Sequence, residues 1–289
     1  MNIEKMKENK TTEELLEFGI INIDKPSNPT SFDISDFVRK KLGVKKTGHF
    51  GTLDPKVTGV LPIALNRACK LTVFFLGEDK EYIGIMKIHD EVSVEEVERA
   101  ISEKFLGKIK QTPPKKSRVK RQEREREVKK FEIVEKNGND FVFLADVQGG
   151  TYIRKLVSDL GDYMKTGAHM LELRRIRAGI FNENGSVNLY DFEKAVDEYK
   201  SGNDKELRKM IIPAEIISEV YSPVEVKKES LKNLMTGKPL LKEYLIGKND
   251  FEVDEIVSVF CDGKFIGMYK VKNDGEIFAK AEFVLQEIK

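Results

Sequence analysis

The sequence is poor in the residues that most often hold metal ions or covalent cross-links. It contains two cysteines, Cys69 and Cys261, and three histidines, His49, His89 and His169. Cysteines this far apart, each in an apolar or strand-like setting, predict buried thiols in a reducing cytosol rather than a disulfide framework. The dispersed histidines show no metal-ligand spacing. We therefore expect neither a metal ion nor a disulfide.

Long apolar runs are missing as well. No stretch approaches the roughly 18 consecutive apolar residues of a membrane-spanning helix. Residues 1–10 are polar and contain no apolar core of a signal peptide. We expect a cytoplasmic protein without a membrane partner. With 289 residues, of which 40% are hydrophobic and 34% charged, the chain can form one large or two smaller domains around a real core.

The formal net charge of +1 conceals an uneven distribution of charge. Residues 108–130 contain eleven Lys or Arg and three Glu, a local excess of +8. Two consecutive prolines within this stretch predict a mobile basic loop rather than a core element. Such a loop favours contact with nucleic-acid phosphates, and a solvated loop without a partner is the alternative. The residues that we assign to RNA binding here are Lys115, Lys116, Arg118, Lys120 and Arg121.

Residues 48–62 combine breakers of regular structure with an apolar end. Three glycines and two prolines exclude a helix or a long strand, and the apolar residues that follow predict a buried element. Asp54 lies at the centre, and Pro55 favours an extended backbone at Asp54. A loop this constrained can hold one side chain in a fixed place, as a site requires. Residue chemistry alone leaves a structural Asx-turn at Asp54 equally open.

Patterns on both sides of this loop predict alternating strands and helices. The predicted elements are a short strand at 19–26 that ends in a turn, a helix from Thr30 or Ser31, a strand at 80–89, a helix from the capping box at Ser93, a hairpin of 128–135 and 140–147, a helix from 153, a strand at 169–177 and helices within 187–212. Short strands with a turn at Asp262–Gly263 follow from about residue 220 and predict a small β-barrel. We therefore divide the chain into an arm (1–18), a first domain (19–216) and a barrel (217–289).

The motif Gly-His-Phe-Gly-Thr-Leu-Asp-Pro-Lys-Val-Thr-Gly-Val-Leu-Pro at residues 48–62 resembles the catalytic motif of the TruB/dyskerin family of pseudouridine synthases. The resemblance continues in order and spacing from about residue 15 to 215. It implies an α+β fold in which a mixed, mainly antiparallel sheet carries flanking helices. The barrel resembles a PUA domain, an RNA-binding module. In this family the aspartate is catalytic, which implies that role for Asp54.

The resemblance also assigns roles to residues outside this motif. They match the family's base-stacking tyrosine, a pocket tyrosine, an arginine paired with the aspartate, an apolar residue that closes the pocket, and residues that support the pocket. The substrate-binding residues so implied are Tyr82, Tyr152, Arg154 and Leu173, and the supporting residues are Lys25, Pro26 and His49. Each tyrosine alone also fits an ordinary half-buried position; together, in order with Asp54, they favour a pocket for a flipped base.

The reaction implied by the resemblance fits these residue types. Uridine is detached from C1′, rotated and rejoined through C5, which requires no cofactor, metal ion or redox step. One carboxylate can attack the sugar or remove a proton from it, and both roles are open for Asp54. A neighbouring arginine keeps a carboxylate ionised by charge pairing.

Two segments are similar to the dyskerin branch of the family: residues 54–59 and the loop at 111–121. That branch acts within H/ACA ribonucleoproteins, in which a guide RNA selects the uridine in ribosomal RNA. The implied partners are RNA and H/ACA proteins. The alternatives are a stand-alone synthase acting on the transfer-RNA T-loop and a non-catalytic RNA-binding scaffold. One departure from the family is Phe50, where Ser or Thr is common.

Overall fold

The computed structural model describes residues 2–113, 120–247 and 250–285. Within these ranges the helices are α1 (Ile3–Glu8), α2 (Thr12–Glu17), α3 (Ser31–Leu42), α4 (Thr72–Leu76), α5 (Val94–Lys104), α6 (Ile153–Met164), α7 (Leu189–Lys200), α8 (Lys205–Met210) and α9 (Leu231–Met235). The strands are β1 (Gly19–Lys25), β2 (Thr47–His49), β3 (Thr58–Leu65), β4 (Lys80–Ile88), β5 (Gly107–Gln111), β6 (Arg124–Asn137), β7 (Asp140–Val147), β8 (Ala168–Ala178), β9 (Phe181–Asn182), β10 (Ile211–Pro213), β11 (Pro223–Glu225), β12 (Leu240–Leu241), β13 (Ile256–Cys261), β14 (Lys264–Asp274) and β15 (Ile277–Val284).

The chain divides into two compact units. The larger unit consists of Ile21–Ala64 and Leu71–Met210, and the smaller of Met1–Ile20, Leu65–Lys70 and Ile211–Lys289. The domain boundaries proposed from the sequence remain a prediction. No helix in the described ranges has the length and apolar character needed to cross a lipid bilayer.

The larger unit is built on one mixed sheet, in the order β1-β3-β8-β4-β7-β6-β5. The β3–β8 pair is parallel, whereas β4 runs antiparallel to both β7 and β8, and β6 runs antiparallel to β5 and β7. Helix α6 packs against β8, and α5 packs against α6 and β6. The predicted α+β class with a mixed, mainly antiparallel sheet is confirmed.

Local sequence signals account for most element ends in this unit. Thr30 and Ser93 each form a capping box at the start of α3 and α5, and Gly43 ends α3 in the left-handed conformation. The predicted hairpin is present, but β6 begins at Arg124 rather than at residue 128. The extension exists because β6 pairs with β5, a strand that the sequence analysis missed.

The smaller unit contains a five-stranded curled sheet in the order β11-β13-β14-β15-β12. Its core includes Val257, Tyr269 and Phe278. The residues interpreted as a polar arm form α1 and α2 in this unit, and Phe18, which follows them, stacks on Phe265 with ring centroids 5.4 Å apart. Both cysteines are thiols rather than halves of a disulfide, and of the two only Cys261 is buried, whereas Cys69 is partly exposed.

Candidate active site

Asp54 begins a tight turn between β2 and β3. The Val57 amide donates a hydrogen bond to the Asp54 carbonyl at 3.0 Å, with Pro55 and Lys56 at the centre of the turn. The flanking Leu53 and Val57 are buried, whereas 47% of the Asp54 side chain is exposed. Apolar residues therefore anchor both ends of the turn, and the carboxylate stays accessible from solvent.

Lys25 supports this turn from within the protein. Its side chain is fully buried, and Nζ donates to the carbonyls of Pro26, Pro55 and Val57 at 2.9, 2.9 and 2.8 Å. Burial lowers the pKa of the Lys25 ammonium, and the negative charge of Asp54 partly opposes that shift. Lys25, predicted as a supporting residue, thus binds carbonyls within the turn at Pro55 and Val57. Because its ammonium also binds the Pro26 carbonyl, the Lys25–Pro26 segment is connected to the turn.

Ser31 holds the residue before Asp54, a contact that the sequence analysis did not foresee. The Ser31 hydroxyl donates to the Leu53 carbonyl at 3.0 Å and accepts from the Leu53 amide at 2.8 Å. Ser31 is buried at the start of α3, and the Thr30 capping box fixes that helix end. The sequence signal was a serine beside a cap, which we interpreted only as a possible N-cap.

Arg175 holds the other side of the loop and was also missed. Its side chain is 1% exposed; Nε donates to the Val60 carbonyl at 2.8 Å and Nη2 to the Gly51 carbonyl at 3.0 Å. Gly59, which pairs with Arg175, has φ +99°, and a Cβ there would lie 2.2 Å from the Arg175 carbonyl oxygen. Only glycine allows β3 and β8 to approach this closely.

Lys80 is a third buried cation near the loop, after Lys25 and Arg175. Its ammonium donates to the Leu76 carbonyl at 2.8 Å and to the Glu78 carbonyl. Burial, followed by repulsion from the Arg175 charge, lowers the pKa of Lys80 to about 8. This lysine therefore releases its proton in the folded protein far more readily than an exposed lysine does.

His49, predicted as a supporting residue, lies at the end of β2. Its Nε2 is 3.0 Å from the Thr52 hydroxyl, within the same loop. Burial and then the Arg175 charge lower the pKa of His49 below its usual 6.5, so the ring is neutral at pH 7. The contact joins the two sides of the bend that leads to Asp54.

Arg154, in the first turn of α6, forms an ion pair with Asp54, with Nη2 2.8 Å from Oδ2. The preceding Tyr152 is the N-cap residue of α6 and is half-buried. Its amide donates to Gln111 Oε1 at 3.0 Å, and its carbonyl accepts from Gln111 Nε2 at 3.3 Å. Gln111 thus fixes the backbone that carries both predicted residues, a role that the sequence did not reveal.

Tyr82 and Leu173 lie on the adjacent strands β4 and β8. Tyr82 of β4 is directly opposite Arg175 of β8, and Gly84 is opposite Leu173. Residues opposite one another share a sheet face, and Arg175 reaches the Asp54 loop from that face. The two predicted pocket residues therefore lie on the same side of the sheet as the Asp54 loop, and both are buried.

Phe50, the departure from the family pattern, belongs to the core of the larger unit. It is buried, stacks on Phe75 at a centroid distance of 4.6 Å and lies 5.9 Å from Phe181. An aromatic side chain at this position stabilises the loop by packing.

The basic loop is described only in part. Lys120 and Arg121 are exposed and lie outside regular secondary structure, whereas Lys115, Lys116 and Arg118 lie outside the described residues. In the described part of the chain, no cluster of three or more His, Cys, Asp or Glu side chains could hold a metal ion.

Sequence comparison adds an independent observation. Residues 39–153 match the model of the TruB family pseudouridylate synthase N-terminal domain, and residues 154–218 match that of the tRNA pseudouridylate synthase B C-terminal domain. A protein of Nanoarchaeum equitans is 47% identical over 72% of this chain and 59% of its own length. One of Methanopyrus kandleri is 39% identical over 88% of this chain and 75% of its own. Both are named "Probable tRNA pseudouridine synthase B".

Solved structures show the same relationship. A chain of a Cbf5-Nop10-Gar1 complex superimposes with a TM-score of 0.88 at 33% identity, covering 96% of this chain and 88% of the other. A chain of an H/ACA ribonucleoprotein bound to a substrate RNA containing 2′-deoxyuridine superimposes with a TM-score of 0.88 at 31% identity, covering 97% and 89%. Together with the matched family models, these similarities show that the chain belongs to the TruB family of pseudouridine synthases, which are RNA isomerases.

Proposed function

We propose that this chain is the catalytic subunit of an H/ACA ribonucleoprotein and converts uridine to pseudouridine in ribosomal RNA selected by a guide RNA. Asp54 is the catalytic residue of this proposal. Tyr82, Tyr152, Arg154 and Leu173 bind the target nucleotide, and Lys25, Pro26 and His49 support the pocket. The partners are RNA and small H/ACA proteins, and we propose the cytoplasm as the compartment.

The guide dependence in this proposal rests on how much of the chain the structural similarity covers. The matched family models end at residue 218, whereas the similarity to chains from H/ACA complexes covers 96% and 97% of this chain. The curled sheet of the smaller unit therefore has a counterpart in those chains. A C-terminal unit shared with chains of a Cbf5-Nop10-Gar1 complex and of an H/ACA ribonucleoprotein bound to a substrate RNA supports a role in such a complex here.

The geometry around Asp54 supports the chemistry. The carboxylate is half-exposed, paired with Arg154, and carried by a turn that Lys25, Ser31 and Arg175 hold. A carboxylate fixed in this way can act on the ribose of a bound nucleotide without reorganisation of the protein. The N1–C1′ bond of uridine breaks, a C5–C1′ bond forms, C5 loses its proton and N1 gains one, so the nucleotide keeps its composition. Attack at C1′ and proton removal at C2′ both fit this geometry.

We also propose that Lys115, Lys116, Arg118, Lys120 and Arg121 bind the substrate strand. Their charge supports this role, since each phosphate neutralised on single-stranded RNA releases counterions. Replacing all five with Ala should weaken RNA binding and flatten its salt dependence, and an unchanged salt dependence would show that the loop is only solvated surface.

A stand-alone transfer-RNA synthase is the second candidate. It is favoured by the names of the relatives from Nanoarchaeum equitans and Methanopyrus kandleri, and by the family model of a tRNA pseudouridylate synthase that matches residues 154–218. A non-catalytic scaffold is disfavoured by the intact set of Asp54, Tyr82, Tyr152 and Arg154, in which Arg154 pairs with the Asp54 carboxylate.

One assay separates these functions. The full chain is incubated with unmodified transfer RNA, and separately with ribosomal RNA plus guide RNA and the H/ACA partner proteins of the same organism; pseudouridine is then mapped. The Asp54→Asn variant controls for contaminating activity. We expect modification of the guided RNA to depend on both guide and partners. Efficient modification of bare transfer RNA with no gain from guide or partners would replace this proposal with the stand-alone enzyme, and no pseudouridine in any reaction would favour the scaffold.

A further inference from the structure

The beginning of β6 alternates in charge, with Arg124 and Arg126 placed between glutamates. Successive side chains of a strand point to opposite faces of the sheet, so the alternation places the two signs on different faces. Arg124 is directly opposite Gln111 of β5, and Arg126 is opposite Ile109. Both arginines therefore share a face with Gln111, which holds the Tyr152 backbone.

The opposite face has no excess of positive charge, because Glu127 also lies on it, directly opposite Lys108. Lys108 pairs with Glu125 at 3.1 Å, and Lys110 pairs with Glu123 at 3.7 Å. These pairs are exposed and add little stability, but they cancel the charges of the two lysines. The positive charge of the two-stranded β5–β6 ribbon that is left unbalanced therefore lies on the face that carries Arg124 and Arg126.

The arginines have no such partner. In the described part of the chain, neither Arg124 nor Arg126 forms an ion pair with a carboxylate, and both are half-buried. Arg126 Nη1 donates to the Glu125 carbonyl at 2.8 Å, and the rest of its guanidinium lies along Gly150. A Cβ at Gly150 would be 3.3 Å from Nη2 and 3.4 Å from Nε. Arg126 thus lies against the segment that leads to Tyr152 and Arg154.

We infer that Arg124 and Arg126 bind two successive phosphates of the RNA strand beside the target nucleotide. The inference deepens the proposed function, because it takes the nucleotide at Asp54 as its reference point. Residues i and i+2 of a strand are about 6.6 Å apart, which is close to the spacing of neighbouring phosphates along an RNA strand. Each guanidinium offers a planar fork of donors that matches the oxygens of one phosphate. A rigid strand then holds the backbone of the substrate next to the pocket.

A purely structural role is the competing explanation, in which Arg126 only covers Gly150. Arg124 separates the two explanations, because within the described residues its side chain makes no hydrogen bond or ion pair whose loss could disturb the fold. Lys108 and Lys110 serve as matched controls, since they lie on the same two-stranded ribbon and carry the same charge but face the other way.

The test measures the affinity of the full chain for a labelled single-stranded oligouridylate over a series of salt concentrations. The variants are Arg124→Gln, Arg126→Gln, their double variant, Arg126→Lys, and the controls Lys108→Gln and Lys110→Gln. Arg124→Gln and Arg126→Gln should each make the negative slope of log affinity against log salt less steep by about 0.7, and their double variant by about 1.4. Arg126→Lys should keep the slope, because the charge remains, and bind more weakly, because the fork is lost. The lysine controls should leave the slope at its original value.

The inference is overturned if Arg124→Gln and Arg126→Gln keep the original slope, or if the lysine controls lower it equally. The binding assay needs no turnover, so its result is independent of the proposed function. If the chain forms no pseudouridine but the salt dependence of RNA binding becomes less steep in Arg124→Gln and Arg126→Gln, the phosphate site stands and the proposed function is refuted. If the chain forms pseudouridine but Arg124→Gln and Arg126→Gln both keep the original salt dependence of RNA binding, only the phosphate site is refuted.

Discussion

The Arg154 guanidinium lies 2.8 Å from the Asp54 carboxylate, Nη2 to Oδ2, although the two residues are far apart in the chain. One belongs to the turn before β3 and the other to the first turn of α6. The side chains are 53% and 47% exposed, so the pair is open to solvent. An exposed ion pair contributes only about 0–1 kcal/mol to stability, which points to orientation of the carboxylate as the use of this contact.

The first prediction concerns Arg154. Arg154→Gln should change the free energy of unfolding by less than about 1 kcal/mol. It should slow single-turnover pseudouridine formation by at least about tenfold, equivalent to about 1.4 kcal/mol of barrier, because Asp54 loses its orienting partner. Chemical denaturation and rapid-quench kinetics measure the two effects. Lys209→Gln, which removes the exposed Lys209–Glu206 pair, is the control and should alter neither quantity. A variant that loses stability but keeps its rate would contradict this role.

The second prediction concerns Asp54. Asp54→Asn keeps the shape of the side chain and removes its charge, so pseudouridine formation should be abolished while RNA binding stays nearly intact. Binding by filter retention and product mapping on the same preparation check both parts. A residual rate above about one tenth of wild type would mean that the carboxylate supplies under about 1.4 kcal/mol, too little for the essential group.

The third prediction compares two glycines with positive φ. Gly43, with φ +70°, has open space around its Cβ position, so Gly43→Ala should cost about 1 kcal/mol from backbone strain alone. Gly59→Ala adds a collision at 2.2 Å with the Arg175 carbonyl oxygen and should cost several times more or prevent folding. Urea denaturation of both variants gives the comparison. Equal losses for the two would show that β3 and β8 can move apart without penalty.

The fourth prediction concerns pH and Lys80. The pKa of Lys80 falls from 10.5 to about 8 in the folded protein, so between these values the unfolded chain binds more protons than the folded one. Stability from this group therefore rises with pH across that window, by up to about 1.4 kcal/mol per pH unit. The free energy of unfolding of the wild type, minus that of Lys80→Met, should increase between pH 8 and 10.

Urea titrations at several pH values provide this difference, and subtraction removes the contribution of the other titrating groups. Lys87→Met, which removes an exposed lysine, is the matched control and should give a difference that does not change with pH. A constant difference for Lys80→Met as well would show that Lys80 keeps its proton over the whole range.

Several features were predictable because short-range rules determine them. The caps at Thr30 and Ser93 satisfy amide groups within one helical turn, and the hairpin of β6 and β7 follows from side-chain alternation around a turn. The constrained loop around Asp54 follows from its glycines and prolines. The family motif added candidate residues, and the structure places Asp54, Arg154 and Lys25 together, with Tyr82 and Leu173 on the adjoining sheet face.

Other features could be decided only by the tertiary structure. Nothing near Arg175 in the sequence distinguishes it from an exposed cation, and its guanidinium binds the carbonyls of Val60 and Gly51, which lie far away in the chain. The family motif pointed to Lys25, but the carbonyls of Pro55 and Val57 that its buried ammonium binds also belong to a distant segment. The division of charge between the faces of β6 depends on its pairing with β5, which is only five residues long and has no strong strand signal. The sequence by itself determined which residues and turns were available for a site. The fold decided which buried carbonyls meet which cations, because that pairing is set by long-range packing rather than by neighbours in the chain.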